Sequence, residues 1–171
     1  MRGSTARQVP RNRYPDRESR HPGRGSALAA GLLGLVAAVA AGYLPVTRFI
    51  DIPFGFSLGD LSPWTLVDLG AYLGAALAFL VGSLATFFRA VTGAILLVLG
   101  ALLAIGAILL EPFLGAGITY AEYFRAVFRL DGFAALDHAV LMVAAPLVLL
   151  LAMLPSTFGH LRFRAPALPL D

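Results

Sequence analysis

Four apolar runs, each close to the length of a bilayer-spanning helix, constrain this chain more than any other feature. They cover residues 27–44, 65–88, 91–110 and 134–154. A helix needs about 20 apolar residues to cross the hydrocarbon core of a membrane. Of the 171 residues, 58% are hydrophobic and 13% are charged, whereas a soluble domain has about twice that charged share. The sequence therefore predicts an all-α integral membrane protein, with a four-transmembrane-helix bundle as its domain over 27–154.

The second and third runs are nearly continuous, and Arg89 is the only charged residue between them. A single helix over both would be about twice as long as a bilayer is thick. The chain must therefore turn back, and we expect a tight helical hairpin at 87–92.

The two termini are predicted to be tails. Residues 1–26 hold seven arginines, two acids and three prolines and contain no apolar run. That composition cannot bury a core, so a disordered arginine-rich tail is expected there. Residues 155–171 are expected to form a short C-terminal tail.

The arginines also predict the orientation. With four spans, one side of the membrane would hold the seven arginines of the N-terminal tail together with Arg89, Arg162 and Arg164. The other side would hold Arg48, Arg125 and Arg129. Because positive loops stay in the cytoplasm, both termini are expected to be cytoplasmic. Cleavage after the small residues 38–40, as in a secretory signal peptide, is the alternative and would leave three spans.

The basic residues point to the source. All 13 are arginine and none is lysine. A GC-rich bacterial genome explains this bias better than lipid recognition does, although arginine also suits anionic head groups. The expected location is the bacterial plasma membrane, with membrane lipids as partners and no nucleic acid.

Small residues recur at every fourth position in the first two spans. Such ladders let helix backbones approach closely inside a membrane, although alanine-rich spans also show them by chance. We expect tight helix crossings, within the bundle or with a partner helix, at Ala30, Gly34, Ala38, Gly42, Gly70, Gly74, Ala78 and Gly82.

Ionisable residues lie near the ends of the spans and all map to the outer side. Asp68 and Asp137 are expected in the first turns of helices, where the helix dipole stabilises an acid. Glu111 is expected to end the third helix before Pro112 and to reach head groups, water or an outer arginine. His138 completes an outer-face polar cluster with Arg125 and Arg129.

No catalytic, cofactor or metal site is predicted. The chain has no cysteine, which excludes thiol catalysis and thiolate metal sites. No zinc-protease, nucleophile-elbow or phosphate-loop motif is present. Asp137 and His138 point about 100° apart on a helix, so they would not readily share a ligand.

An amphipathic helix is predicted over 119–130. Its aromatic and apolar residues follow helical spacing on one face, while Glu122, Arg125 and Arg129 lie on the other. We expect this face on the outer membrane surface or over the bundle, or else against a partner protein. The face comprises Tyr120, Tyr123, Phe124, Val127 and Phe128.

The first outer loop shows the two-residue alternation of an extended strand. Three interpretations remain open: it covers the bundle, it pairs with a strand of another protein, or it is an irregular loop in the head groups. Trp64 follows as an interfacial residue. The apolar positions are Ile50, Ile52, Phe54, Phe56 and Leu58.

These features favour a non-enzymatic membrane subunit that binds and stabilises a larger cell-envelope complex, such as a lipid or solute transporter. Its partner would be another membrane protein or a second copy of the chain. The alternatives are a small oligomeric transporter or channel, and a membrane enzyme acting on lipid at the outer leaflet.

Overall fold

The computed structural model describes residues 24–50, 61–114 and 118–161, and these residues form six helices and no strand. The helices are α1 (Arg24–Ile50), α2 (Pro63–Phe87), α3 (Val91–Leu114), α4 (Tyr120–Phe128), α5 (Phe133–Met153) and α6 (Pro155–Leu161). The side chains at 24, 48–50 and 158–160 lie outside the described residues, as do residues 1–23 of the predicted N-terminal tail.

Four of these helices are long and apolar enough to cross a membrane, as predicted. Their candidate spans are Gly25–Thr47, Pro63–Phe87, Val91–Leu114 and Phe133–Met153. The all-helical fold and the four apolar helices are those of a multi-pass membrane protein.

The four long helices close into a ring. α1 packs against α2 and α5, and α3 packs against the same two helices. The buried core between them consists largely of alanine, with Phe79, Leu97 and Leu141 as its fully buried large side chains. Small side chains bring the helix axes close together.

The bundle has two ends. The turn end contains the α2–α3 turn at residues 88–90, the start of α1 and the end of α5. The α4 end contains α4, the end of α3 and the starts of α2 and α5. At the turn end, Arg89 has a φ of 60°, a left-handed conformation that reverses the chain within three residues. The predicted hairpin is therefore present.

The backbones of α2 and α3 approach most closely beside this turn. A methyl group added to Gly93 would lie 2.5 Å from the backbone nitrogen of Thr86 and 2.8 Å from the carbonyl oxygen of Gly82. One added to Gly82 would lie 2.9 Å from the backbone nitrogen of Leu97. Only glycine fits at this crossing without moving a helix.

The two small-residue ladders pack on different neighbours. In α1, Gly34 faces Ser83 of α2 and Leu97 of α3, and Gly42 faces Ala76 of α2. The ladder of α2 instead faces α3. Its members Gly74 and Gly82 lie beside Leu103 and Leu97 of that helix.

Other ladder members vary in their surroundings. Ala30, Ala38 and Ala78 are buried. Gly70 is exposed, and no atom of the described residues lies within 4 Å of a methyl group placed there. Of the GxxxG pair in α2, Gly74 therefore packs on a neighbouring helix, whereas Gly70 packs on none of the described residues.

Two prolines do not end their helices, which for Pro112 is contrary to the sequence prediction. α1 continues through Pro45 to Ile50, and α3 continues through Pro112 to Leu114. Proline deprives the carbonyl group four residues earlier of its helical donor, a cost that packing against neighbouring helices can offset. In the turn that contains Pro45, the Thr47 hydroxyl lies 3.1 and 3.0 Å from the carbonyl oxygens of Tyr43 and Leu44.

Part of the predicted C-terminal tail belongs to the bundle. α6 packs against α1, and the side chains of Thr157 and Leu161 are fully buried. The Thr157 hydroxyl donates to the Leu151 carbonyl oxygen at 2.8 Å and to Ser26 Oγ at 3.1 Å. These bonds tie α6 to α5 and to the start of α1.

Candidate functional site

A polar cluster at the α4 end joins three helices through one carboxylate. Glu111 of α3 accepts a hydrogen bond from the hydroxyl of Tyr123 in α4. The Nε2 atom of His138, in α5, lies 3.0 Å and 2.9 Å from the two Glu111 carboxylate oxygens. From the sequence, Glu111 was expected to reach lipid head groups, water or an arginine, whereas these observed partners belong to neighbouring helices.

The histidine is oriented by its own helix. His138 Nδ1 lies 2.8 Å from the carbonyl oxygen of Ala134. A carbonyl oxygen only accepts, so Nδ1 carries a hydrogen. A hydrogen bond between Nε2 and Glu111 then needs one more proton, on either the ring or the carboxyl group. Glu111 and His138 therefore share a proton.

Two tyrosine rings contact His138. The rings of Tyr72 and Tyr123 both meet the His138 ring edge to face, with centroids 6.4 and 6.5 Å away. Tyr72 is only 2% exposed. These contacts help to orient the imidazole.

Asp68 lies deeper in its helix than expected. α2 begins at Pro63 with Ser62 as its N-cap, so Asp68 is the sixth helical residue and not a first-turn residue. It is 2% exposed and lines a cleft of about 310 Å³ together with Thr65, Glu111 and Tyr123. The expected role as a dipole-stabilised helix-end acid is therefore wrong for Asp68.

Asp137 faces a different part of the molecule from its neighbour. α5 begins at Phe133, which makes Asp137 the fifth helical residue, again beyond the first turn. His138 points into the polar cluster, while Asp137 lines an apolar cleft between α1 and α5. The predicted divergence of these two side chains is seen in the structure.

The predicted amphipathic helix is present as α4. Its N-cap, Thr119, forms a reciprocal capping box with Glu122. The backbone N–H of Thr119 donates to the Glu122 carboxylate at 3.0 Å and the hydroxyl donates at 2.8 Å. These bonds hold the pKa of Glu122 below its usual value. The cap starts the helix immediately after the loop.

Hydrogen bonds and packing fix α4 on the bundle. Val127 is buried, and Tyr123 and Phe124 are half-buried. The Tyr120 hydroxyl donates to the Leu109 carbonyl oxygen of α3 at 3.0 Å. The apolar face of α4 therefore covers the end of the bundle, which was one of its predicted positions.

The two arginines of α4 and the following turn lie at the surface. Arg125 and Arg129 are exposed. Arg129 lines an open cavity of about 450 Å³ that also contains Glu111, Tyr123 and His138. Arg125 lies on the polar face of α4, away from the cluster.

Several predicted contact residues are exposed, and others lie outside the described residues. Trp64 is 62% exposed, Tyr120 40% and Phe128 56%. Ile52, Phe54, Phe56 and Leu58 lie outside the described residues, as does the side chain of Ile50. The predicted extended segment remains a prediction.

Among residues 24–50, 61–114 and 118–161, no group of three histidine, aspartate or glutamate side chains is arranged to hold a metal ion. Comparisons with family models, with curated proteins and with solved structures found no significant match.

Sequence reasoning missed two features of this region. Tyr72 had a weak signal, because it follows Asp68 by one helical turn on the same face. The contact of Tyr123 with Glu111 and His138 had no sequence signal, since it depends on how α4 folds back over the bundle.

Proposed function

We propose that the chain is a non-enzymatic subunit that binds and stabilises a larger membrane complex of the bacterial cell envelope, such as a lipid or solute transporter. One observation carries the proposal: α4 is fixed to the bundle on one face and still exposes Tyr120 and Phe128. Aromatic side chains on a rigid support are typical of protein interfaces.

The polar cluster supports this role. Glu111 joins α3, α4 and α5 through Tyr123 and His138. Pairing these groups with one another offsets the cost of removing them from water. The cluster thus holds α4 in a single position and presents its exposed face in a fixed geometry.

The arginine distribution supports a placement for this surface. The turn end, with Arg89 and the arginine-rich N-terminal segment, would face the cytoplasm, and α4 would face outward. Reporter fusions after Asp171 and within 51–60 should then report opposite sides of the membrane. Reports from the same side would contradict the four-span topology.

Co-purification tests the subunit proposal. The full chain would be isolated from its native membrane in mild detergent, as wild type and with Phe128→Asp or Arg125→Asp. Phe128→Asp introduces a carboxylate on the exposed aromatic side of α4, and Arg125→Asp introduces one on the polar face. We expect a stoichiometric partner, or a second copy, to be lost with Phe128→Asp and kept with Arg125→Asp.

Thermal unfolding in detergent completes this test. An unchanged melting temperature of Phe128→Asp together with a lost partner supports an intermolecular contact. A wild-type chain that purifies alone as a monomer would contradict the proposal, as would equal partner loss from both variants.

The shared proton of Glu111 and His138 favours one alternative, a membrane enzyme acting on lipid. A proton held between two such groups beside an open cavity can serve acid–base chemistry. If Glu111→Gln abolished a lipid-converting activity while the chain remained folded and inserted, the enzyme would replace the subunit as the proposed function.

A further inference from the structure

An apolar cleft between α1 and α5 contains a single carboxylate. The cleft has a volume of about 420 Å³ and is lined by Val36, Val39, Ala40, Tyr43, Phe133, Leu136, Asp137 and Val140. Asp137 Oδ2 is buried and has no hydrogen-bond partner among the residues that the structure describes. We propose that this cleft binds a phospholipid with a primary-amine head group, with the ammonium on Asp137 and an acyl chain along the apolar walls.

Charge complementarity selects a cationic occupant. A carboxylate oxygen removed from water is destabilised unless a donor or a cation pairs with it. The ring nitrogens of the adjacent histidine contact Ala134 and Glu111, so His138 does not donate a hydrogen bond to Asp137. Within the described residues no donor reaches Asp137 Oδ2, and an ammonium group of a bound molecule would supply one.

The shape of the cleft selects a slender occupant. α1 and α5 are packed together at its base, where Ala40 is 3% exposed. The α1 wall runs from Val36 to Tyr43, about 10 Å at 1.5 Å per residue. A crevice of this size admits an acyl chain, whereas a helix about 10 Å across would rest on its rim.

Asp137 lies close enough to the head groups for an ammonium to reach it along the cleft. α5 has 21 residues, which at 1.5 Å each is about the thickness of the hydrocarbon core. Phe133 therefore lies near the membrane boundary. Asp137 lies about 6 Å further in, so the ammonium would bind just below the head-group level, inside the cleft.

The neighbouring segment of the chain is a poorer occupant. Residues 51–60 follow α1 and carry apolar side chains at alternate positions. They contain two acids, Asp51 and Asp60, and no basic residue. That segment cannot neutralise Asp137, so the lipid is favoured on charge.

The chemistry separates two common zwitterionic lipids. A primary ammonium has three N–H donors for a carboxylate, whereas a choline head group has none. Phosphatidylethanolamine should therefore bind in preference to phosphatidylcholine by about tenfold, as a charge-assisted hydrogen bond is worth on the order of 1.5 kcal/mol or more.

Native mass spectrometry of the full chain can measure this preference. The protein would be reconstituted with equal amounts of the two lipids, and the lipids retained on gentle release from detergent would be counted. We expect wild type to retain phosphatidylethanolamine preferentially. Asp137→Asn should abolish the preference, and Asp131→Asn, a change to an exposed acid before α5, should keep it.

Photo-crosslinking locates the lipid. A phosphatidylethanolamine with a diazirine acyl chain should label α1 within 36–43 and α5 within 133–140, and Asp137→Asn should reduce this labelling. Equal retention of both lipids, a preference that survives Asp137→Asn, or labelling confined to other helices would overturn the proposal. So would protection of the cleft from labelling by a second protein chain or by residues 51–60.

Discussion

The two ends of the bundle hold their helices together by different chemistry. At the turn end, α2 and α3 meet backbone to backbone, where Gly82 and Gly93 leave no room for a side chain. At the α4 end, the link is a set of side-chain hydrogen bonds centred on Glu111. Inside a membrane, close packing and polar pairing are the available forces, since apolar side chains gain little by leaving lipid.

The two ends of the bundle should therefore tolerate different substitutions. A glycine crossing depends on shape alone, so an added methyl group disrupts it. A polar cluster depends on satisfied hydrogen bonds, so it resists shape changes but loses stability when one partner is removed. Four substitution tests, ordered by expected effect, can break or sharpen this comparison.

Gly93→Ala should have the largest effect. Its methyl group would overlap the backbone of Thr86 and the carbonyl oxygen of Gly82. Because backbone atoms cannot move aside as a flexible side chain can, the free energy of unfolding should fall by about 3 kcal/mol or more. Thermal unfolding in detergent measures the loss.

Gly106→Ala is the matched control on the same helix. No atom of the described residues lies within 4 Å of a methyl group at this position. The change should leave stability unchanged or raise it by up to about 1 kcal/mol, because alanine favours a helix over glycine. Equal destabilisation by both changes would show that the crossing is not the constraint.

Glu111→Gln should have the next largest effect and should act locally. Replacing the carboxylate that holds Tyr123 and His138 should cost about 1.5–3 kcal/mol. Hydrogen exchange should show lost protection in α4 while the α2–α3 turn keeps its protection. Asp131→Asn changes an exposed acid at the same end of the bundle. It should leave the exchange protection of α4 and of the α2–α3 turn unchanged.

A double-mutant cycle can test the shared carboxylate directly. Tyr123→Phe alone should cost about 0.5–1.5 kcal/mol. Its cost should shrink in the Glu111→Gln background, because the hydroxyl then bonds to a neutral amide. Strictly additive costs would mean that the two side chains contribute independently.

Protonation of Glu122 at low pH should give the smallest effect, a partial loss of exchange protection in α4. Its pKa is lowered in the folded protein from the usual 4.5 by hydrogen bonds from Thr119. The stabilisation is therefore present above pH 4.5 and is lost as the pH falls through the lower folded pKa. Exchange protection of α4, corrected for intrinsic rates, should fall with acidification in that window.

Glu122→Gln isolates this contribution, because every other ionisable group is the same in both chains. The difference in protection between wild type and Glu122→Gln should be largest near neutral pH and should shrink in acid. A difference that stays constant with pH would contradict a role for the ionised cap.

The sequence predicted the parts of the fold that depend on local pattern. Hydropathy located the four long helices, and the single charge at Arg89 located the turn. Helical spacing located α4. The sequence could not show that α1 continues past Pro45 or that α3 continues past Pro112, because the continuation of a helix through a proline depends on the surrounding bundle.

The candidate site was less predictable for the same reason. Asp68, Glu111 and His138 were selected as ionisable residues near helix ends, and the structure brings Glu111 and His138 together. Their pairing needs α3 and α5 to be neighbours, and the role of Tyr123 needs α4 to fold back. Gly93 escaped notice because it belongs to no four-residue ladder, and only the crossing geometry shows its constraint.

The three-residue link between α2 and α3 suggests an order of assembly. Contacts across this hairpin join residues close in sequence, and such contacts form early because little chain entropy is lost in closing the loop. The polar cluster must wait until α5, whose His138 lies 27 positions beyond Glu111, has been synthesised. During biosynthesis the hairpin should therefore enter the membrane as one preassembled unit, with α4 settling onto the bundle last.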